Sequence, residues 1–117
     1  MKITKLIINK PWGSYKIIDQ GKNFLVKNIF VKPHCKLSLQ SHEHRSEHWI
    51  VVAGKAEVVI DEKYTLLEQN QSIFIPKKTK HRLANNYEKD LIIIEVWYGE
   101  ILNENDITRY EDIYNRK

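Results

Sequence analysis

No stretch before residue 100 repeats its apolar side chains with a helical period. Instead, short apolar runs are cut by turn residues at intervals of roughly 8 to 12 positions, the signature of an all-β sandwich or barrel. SYKIID (14–19) runs into the turn DQGK, and NFLVKNIFVK (23–32), rich in β-branched and aromatic residues, closes at Pro33. KLSLQSH (36–42) alternates apolar and polar positions. HWIVVA (48–53) stops at Gly54-Lys55 and AEVVI (56–60) follows, which predicts a tight hairpin. YTLL (64–67), SIFI (72–75) and HRLAN (81–85) are further strands, and the unbroken run LIIIEVWY (91–98) predicts burial on both faces. Roughly ten short strands with no linker or repeat predict one β-barrel domain, whose mouth is a natural ligand site. Only the tail departs from the pattern: in ILNENDITRYEDIYNRK (101–117), Asn105 or Asp106 can cap a short helix carrying Ile107, Tyr110 and Tyr114.

Charge narrows the partners. The net charge of +4 comes from 19 basic and 15 acidic residues spread along the chain, the pattern of a solvated surface. No aromatic RNA-binding box or recognition helix accompanies it, so nucleic acid is not an expected partner. A small anionic substrate needs only two or three of those cations. The longest apolar runs are far too short to span a bilayer, and MKITKLIINK lacks a cleavage-site pattern, so no membrane contact and a cytoplasmic location are expected. The single Cys35 forms no internal disulfide, fits a reducing compartment and reads as a small packing residue. Trp12, Trp49 and Trp97 read as packing residues too, whereas Glu95, inside the apolar run, either faces the barrel interior or pairs with an arginine.

Three of the five histidines fall in one decapeptide, QSHEHRSEHW (40–49). On a strand, alternate residues share a face. If the strand from Lys36 continues to residue 44, Gln40, His42 and His44 point one way. After a bend near Arg45-Ser46, Glu47, Trp49 and Val51 share a face and His48 takes the other. Two strands with facing polar ends bring Gln40, His42, His44 and Glu47 toward one point.

The stretches QSHEHRSEHWIVVAG and IPKKTKHRLAN (75–85) resemble the two motifs of the cupin superfamily. In the first motif a glutamate precedes a glycine by six residues, as Glu47 precedes Gly54, and the His-x-His pair then falls on Gln40-x-His42. The second reads Asn70, five residues, Pro76-x-Lys78-x-x-His81-x-x-x-Asn85. Three motif glycines are replaced, by His34, Asn70 and Lys78; asparagine tolerates left-handed backbone best and Lys78 is the least comfortable there. PWGSY (11–15), the run 31–54, IPKKTKHRLAN and ITRYEDIYNRK (107–117) are closely similar to the C-terminal cupin domain of type II mannose-6-phosphate isomerases. Many members carry that domain behind a guanylyltransferase, for which 117 residues leave no room.

The resemblance implies a jelly-roll barrel and a divalent metal held by Gln40, His42, Glu47 and His81. Two imidazoles, a carboxylate and an amide oxygen suit Zn²⁺, with Mn²⁺, Co²⁺, Fe²⁺ or Ni²⁺ as alternatives. The implied reaction interconverts mannose 6-phosphate and fructose 6-phosphate through an enediol(ate). His44, released from ligation by the motif spacing, and Lys36, on the face of Gln40, are then the acid/base candidates. Arg45, Arg82, Lys78, Lys80 and Arg109 are candidates for the phosphate. A homodimer is expected, with the segment 1–13 able to add a strand to a partner. Two rival readings are an isomerase or epimerase of another phosphorylated or nucleotide-linked sugar, and a non-catalytic sugar-binding cupin.

Overall fold

In the computed structural model, which describes residues 6–116, the turn residues divide the chain into strands that form two facing antiparallel sheets. One sheet runs in the order β1 (Ile7–Lys10), β2 (Gly13–Gly21), β3 (Phe24–Val31), β11 (Leu91–Tyr98), β6 (Ser46–Ala53), β9 (Ser72–Ile75). The other runs β12 (Thr108–Glu111), β5 (Leu39–Ser41), β10 (His81–Asn85), β7 (Ala56–Ile60), β8 (Lys63–Leu67), with β4 (Cys35–Lys36) also paired to β10. The chain passes repeatedly from sheet to sheet, the all-β jelly roll expected from the sequence.

Two local expectations are corrected. The turn at Gly54 is a crossing between sheets and not a hairpin, since β6 pairs with β11 and β9 while β7 pairs with β10 and β8. Gly54 has φ 85°, and a Cβ there would lie 2.5 Å from the Asp90 carbonyl oxygen, so the crossing needs a residue without a side chain. The tail forms no helix among the described residues. Residues 108–111 instead pair with β5, placing Arg109 opposite Gln40 and Thr108 opposite Ser41. The would-be helix cap Asp106 spends its carboxylate on the N–H groups of Glu43 and His44, both at 2.9 Å. Pairing with a sheet edge satisfies the backbone that a short helix would leave half unbonded.

The three replaced motif glycines all keep left-handed backbone: φ is 60° at His34, 69° at Asn70 and 63° at Lys78. Lys78 N–H donates to the His42 carbonyl at 2.7 Å, tying the second motif's turn to the first motif. A β-carbon at such a φ costs about 1 kcal/mol or more, partly offset by the freedom glycine adds to the unfolded chain. Lys78→Gly is therefore expected to raise stability by about 0.5 kcal/mol in urea unfolding. A loss of stability would show that the lysine side chain holds something.

Parity divides the interior lengthwise. The inner face of β3 carries Leu25, Lys27, Ile29 and Val31, that of β11 Leu91, Ile93, Glu95 and Trp97, and that of β6 Glu47, Trp49 and Val51, all buried. Val31, Val51, Leu91 and Ile93 pack with Val58 and Leu83 of the second sheet and close one end as a dry core. The same strands turn polar toward the other end and open a cavity there. The outer face of β11 is only half-buried, so the run 91–98 is covered fully on one side rather than both. Outward positions on β3, β11, β6 and β9 carry no Asp, Glu, Lys or Arg; cross-strand rows such as Ile50–Ile94–Asn28 and Phe74–His48–Val96–Val26 make an apolar, uncharged surface. β1 adds to its own sheet beside β2 and lies at an edge; residues 1–5 of the expected strand-adding segment lie outside the described residues.

Candidate metal centre

Two Glu-x-Trp pairs on neighbouring strands begin the polar end. Glu47 and Trp49 on β6 face Trp97 and Glu95 on β11, Glu47 opposite Trp97 and Trp49 opposite Glu95. Residues two apart share a face, and each tryptophan donates its indole N–H to its own strand's glutamate: Trp49 to Glu47 Oε1 at 2.8 Å, and Trp97 to Glu95 Oε1. From the second sheet come His81, at the start of β10 and directly opposite Gln40, and His42, immediately after β5. The ligand atoms of His42, Glu47 and His81 all lie within 4.8 Å of one another, and the three residues are buried.

Hydrogen bonds on the far side of each ring set its chemistry. His42 Nδ1 lies 2.7 Å from the Asp106 carbonyl and His81 Nδ1 lies 2.9 Å from the Thr79 carbonyl. A carbonyl only accepts, so Nδ1 carries the proton in both rings, and a neutral ring then turns the Nε2 lone pair toward Glu47. His81 Nε2 is buried with no hydrogen-bond partner among the described residues. A buried polar atom without a partner is costly; a metal-directed lone pair accounts for it, as does the support of each imidazole by a carbonyl. Burial pushes the His42 imidazole down to about 4, against the upward pull of Glu47, and burial lowers His81 as well. Both rings are therefore neutral and ready to ligate at neutral pH. Burial opposes ionisation of Glu47, but Arg45 and the two histidines more than offset it and hold its carboxyl below the usual range. Two neutral imidazoles and a carboxylate fit a divalent metal.

Arg45 shares this space. Its Nε donates to Glu47 Oε2 at 2.8 Å, its Nη2 lies 3.2 Å from His42 Nε2, and its guanidinium stacks 3.5 Å above the Trp97 ring. The guanidinium thus uses two of the lone pairs that a metal would use. Arg45 also donates to the carbonyls of Asn103 and Asp106, and Lys27 Nζ pairs with Glu104 at 2.8 Å, so loop 99–107 is tied down by the charged residues beneath it. The cavity beside the cluster measures about 230 Å³ and is lined by Gln40, Arg45, Glu47, Lys27 and the arginines of the tail, Arg109 and Arg116.

 Glu95 lines the same cavity from the inner face of β11.

The sequence-predicted residues divide accordingly. His42, Glu47 and His81 converge, and Gln40 stands beside His81 on the cavity wall. Arg45 and Arg109 face the cavity, and the Arg109 Nε is buried without a partner among the described residues. His44 does not: strand β5 ends at Ser41, the Asp106 carboxylate turns residues 43 and 44 outward, and His44 is exposed in a shallow surface pocket with Lys77 and Tyr98. Lys36 belongs to the separate strand β4 and is absent from the cavity lining. Arg82 points away from the adjacent His81 and bonds Glu111 at 3.1 Å; Lys78 and Lys80 are exposed, Lys80 lying 4.3 Å above the Tyr110 ring. Asn85, the last residue of the second motif, staples a loop by donating to the carbonyls of Val31 and Lys89. Lys27, Asp106 and Arg116 were not anticipated. The signal for Lys27 was a lysine on the apolar parity of FLVKNIFV; nothing local marks Asp106 or Arg116.

Residues 2–112 match the family described as Mannose-6-phosphate isomerase C-terminal. The chain is 54% identical over 109 residues to the alginate biosynthesis protein AlgA of Pseudomonas aeruginosa, covering 93% of this chain and 23% of that protein. It is 52% identical over 109 residues to the xanthan biosynthesis protein XanB of Xanthomonas campestris, and 48% identical over 109 residues to a mannose-1-phosphate guanylyltransferase of Escherichia coli, with the same coverages. The chain thus spans about a quarter of the length of these relatives. Among solved structures, it superposes with a TM-score of 0.80 on the capsular polysaccharide assembling protein CapF of Staphylococcus aureus, at 19% identity, over 94% of this chain and 35% of that one. Oxalate decarboxylase of Bacillus subtilis gives 0.77 at 16% identity, over 90% of this chain and 30% of that one, a likeness of fold alone. The chain belongs to the Mannose-6-phosphate isomerase C-terminal family and has its cupin fold.

Proposed function

We propose that this chain interconverts mannose 6-phosphate and fructose 6-phosphate. The observation that carries the reading is one cavity lined both by Glu47, of the His42–Glu47–His81 cluster, and by the cations Arg45, Arg109 and Arg116. A ligand cluster beside a cationic wall suits a substrate that carries a carbonyl at one end and a phosphate at the other. The relatives' names, as alginate and xanthan biosynthesis proteins, support supply of a sugar building block for a polysaccharide.

A divalent metal held by His42, Glu47 and His81, with Gln40 alongside, would polarise the sugar carbonyl and steady the enediolate oxygen. The chain's own groups do the rest. The Asp106 and Thr79 carbonyls hold the two imidazoles in the ligating tautomer. Arg109, whose Nε is buried without a partner among the described residues, offers guanidinium N–H groups to the phosphate, while Arg116 lines the same cavity with its Nε and Nη2 held by the Asp112 carboxylate. Loop 99–107 covers the cavity and keeps water from the intermediate.

A coupled assay on purified protein, with mannose 6-phosphate and chelator-reversible dependence on metal, tests this. No turnover with added Zn²⁺, Mn²⁺, Co²⁺, Fe²⁺ or Ni²⁺ would overturn it, and saturable binding without turnover would favour the sugar-binding reading. We also propose a homodimer through the uncharged outer sheet face. The four strands of that face, at about 4.8 Å spacing and about 3.3 Å per residue, span roughly 440 Å², so a standard interface of roughly 800 Å² per partner extends beyond them. Light scattering is expected to read twice the 14.0 kDa chain mass, and Ile50→Lys with Ile94→Lys to return it to one.

A further inference from the structure

Isomerisation needs a group that takes a proton from one carbon and returns it to the next, and neither acid/base candidate from the sequence lines the cavity. Several carboxylates near the cavity are already committed. Both oxygens of Glu47 are engaged, Oε1 by Trp49 and Oε2 by Arg45. Glu104 is half-exposed and paired to Lys27. Glu95 stands apart from them: it is buried, it lines the cavity, and its carboxyl receives one hydrogen bond among the described residues, from Trp97. Packing gives no reason for an acid there, because Leu91 and Ile93 on the same face of β11 are fully buried hydrophobics.

Resting on the isomerase reading above, we propose that Glu95 is the catalytic residue that carries the carbon-bound proton between C2 and C1 of the open-chain sugar. Lys27, directly opposite on β3, is the positioning residue beside it. Its ammonium is fixed 4.0 Å from the centroids of both the Tyr15 and Trp97 rings and ion-paired to Glu104, and no ion pair joins it to Glu95. It therefore supplies a fixed positive field to the wall without neutralising the carboxyl directly. Burial, reinforced by repulsion from Glu47, raises the Glu95 carboxyl to about 8. The ionised fraction is the minor one at neutral pH and grows as pH rises through about 8, and the carboxylate it yields is a stronger base than an ordinary one.

The step balances within substrate and side chain. The Glu95 carboxylate takes the C2 proton, the C2–H electron pair becomes the C1=C2 bond, and the carbonyl π pair moves to O1. The carboxyl then returns its proton to C1, while the proton on O2 is lost and one is gained on O1, leaving a carbonyl at C2. No oxidant or reductant enters.

Glu95→Gln keeps shape and removes the base. In the full chain loaded with metal, kcat is expected to fall by roughly a hundredfold or more, with KM and bound metal close to wild type. Deuterium wash-in from D₂O into recovered mannose 6-phosphate is expected to be lost with it. A kcat within about threefold of wild type would overturn the proposal. So would loss of metal together with activity, since that is the mark of a structural role. If the glutamine variant does not fold, Glu95→Asp, which retains a carboxylate but withdraws it by one methylene, is expected to lose more than tenfold in kcat at unchanged metal content, and wild-type kcat would overturn the proposal. A wild-type chain without turnover sinks the isomerase reading itself; an active wild type with an equally active Glu95→Gln sinks only this inference.

Discussion

Replacing His81 with alanine is expected to give a folded chain that holds no divalent metal and has lost the proposed isomerase activity by about a hundredfold or more. His81 supplies one of three converging donors, and the other two, His42 Nε2 and Glu47 Oε2, are the atoms that Arg45 also contacts. With only two donors left, the guanidinium holds the advantage. His81 Nε2 bonds nothing else among the described residues, so no hydrogen bond at that nitrogen is lost when the ring goes. Removing an unpaired buried nitrogen returns about 1 kcal/mol or more, against the lost Nδ1–H bond to the Thr79 carbonyl and the lost contacts with the Trp49 and His42 rings. In chelator the variant should therefore unfold close to wild type. At a metal concentration a hundred times Kd, wild type should gain about 2.7 kcal/mol and the variant nothing. His44→Ala, by contrast, should keep its metal, because His44 is exposed and turned away from the cluster. An alanine variant of His81 that retains stoichiometric metal would show that the cluster is not the site.

The division between legible and illegible residues follows the range of the interactions. Strand parity placed Glu47 and Trp49 inward and His48 outward correctly, because period-two alternation is local and β6 runs straight through 46–53. The same reasoning failed at His44, because the strand stops at Ser41, three residues before it, and an Asp106 carboxylate more than sixty positions away holds the turn that follows. The tail misled in the same way: its helix-like spacing is real, but an open sheet edge at β5 offered those residues better backbone bonding. Gly54 reads locally as a hairpin and acts as a crossing because β7 finds β10, which comes later in the chain. The left-handed turns at His34, Asn70 and Lys78 were legible only by motif comparison, since two of those side chains do not advertise the conformation. Lys27 and Glu95 lay in plain view as charges on apolar parity, but only the register between β3 and β11 shows them facing each other.

Buried Glu95 and the two buried imidazoles, His42 and His81, together fix how the metal-free chain should respond to pH. In chelator, stability is expected to peak near pH 6.5, to fall by about 1.4 kcal/mol per pH unit toward pH 8 and to fall also toward acid. Glu95 is raised from an ordinary 4.5 to about 8, chiefly by burial, so the folded chain holds a proton that the unfolded chain releases. Its contribution is complete below 4.5 and is lost as pH rises through 8. His42 is lowered from 6.5 to about 4, chiefly by burial, so the folded chain refuses a proton that the unfolded chain accepts. Its contribution is complete above 6.5 and is lost as pH falls through 4. Between 4.5 and 6.5, Glu95 and His42 cancel, and His81, lowered by burial in the same sense, tips the balance toward loss in acid. Between 6.5 and 8, Glu95 acts without opposition and stability falls toward alkali. Urea unfolding at pH 5.0, 6.5 and 8.0 checks the shape. Glu95→Gln should flatten the alkaline limb, and His81→Ala should flatten the acid limb down to about pH 4.5. A wild-type profile that climbs steadily through pH 8 would mean that Glu95 is ionised inside the fold, and that the wall it shares with Lys27 is wetter than its burial implies.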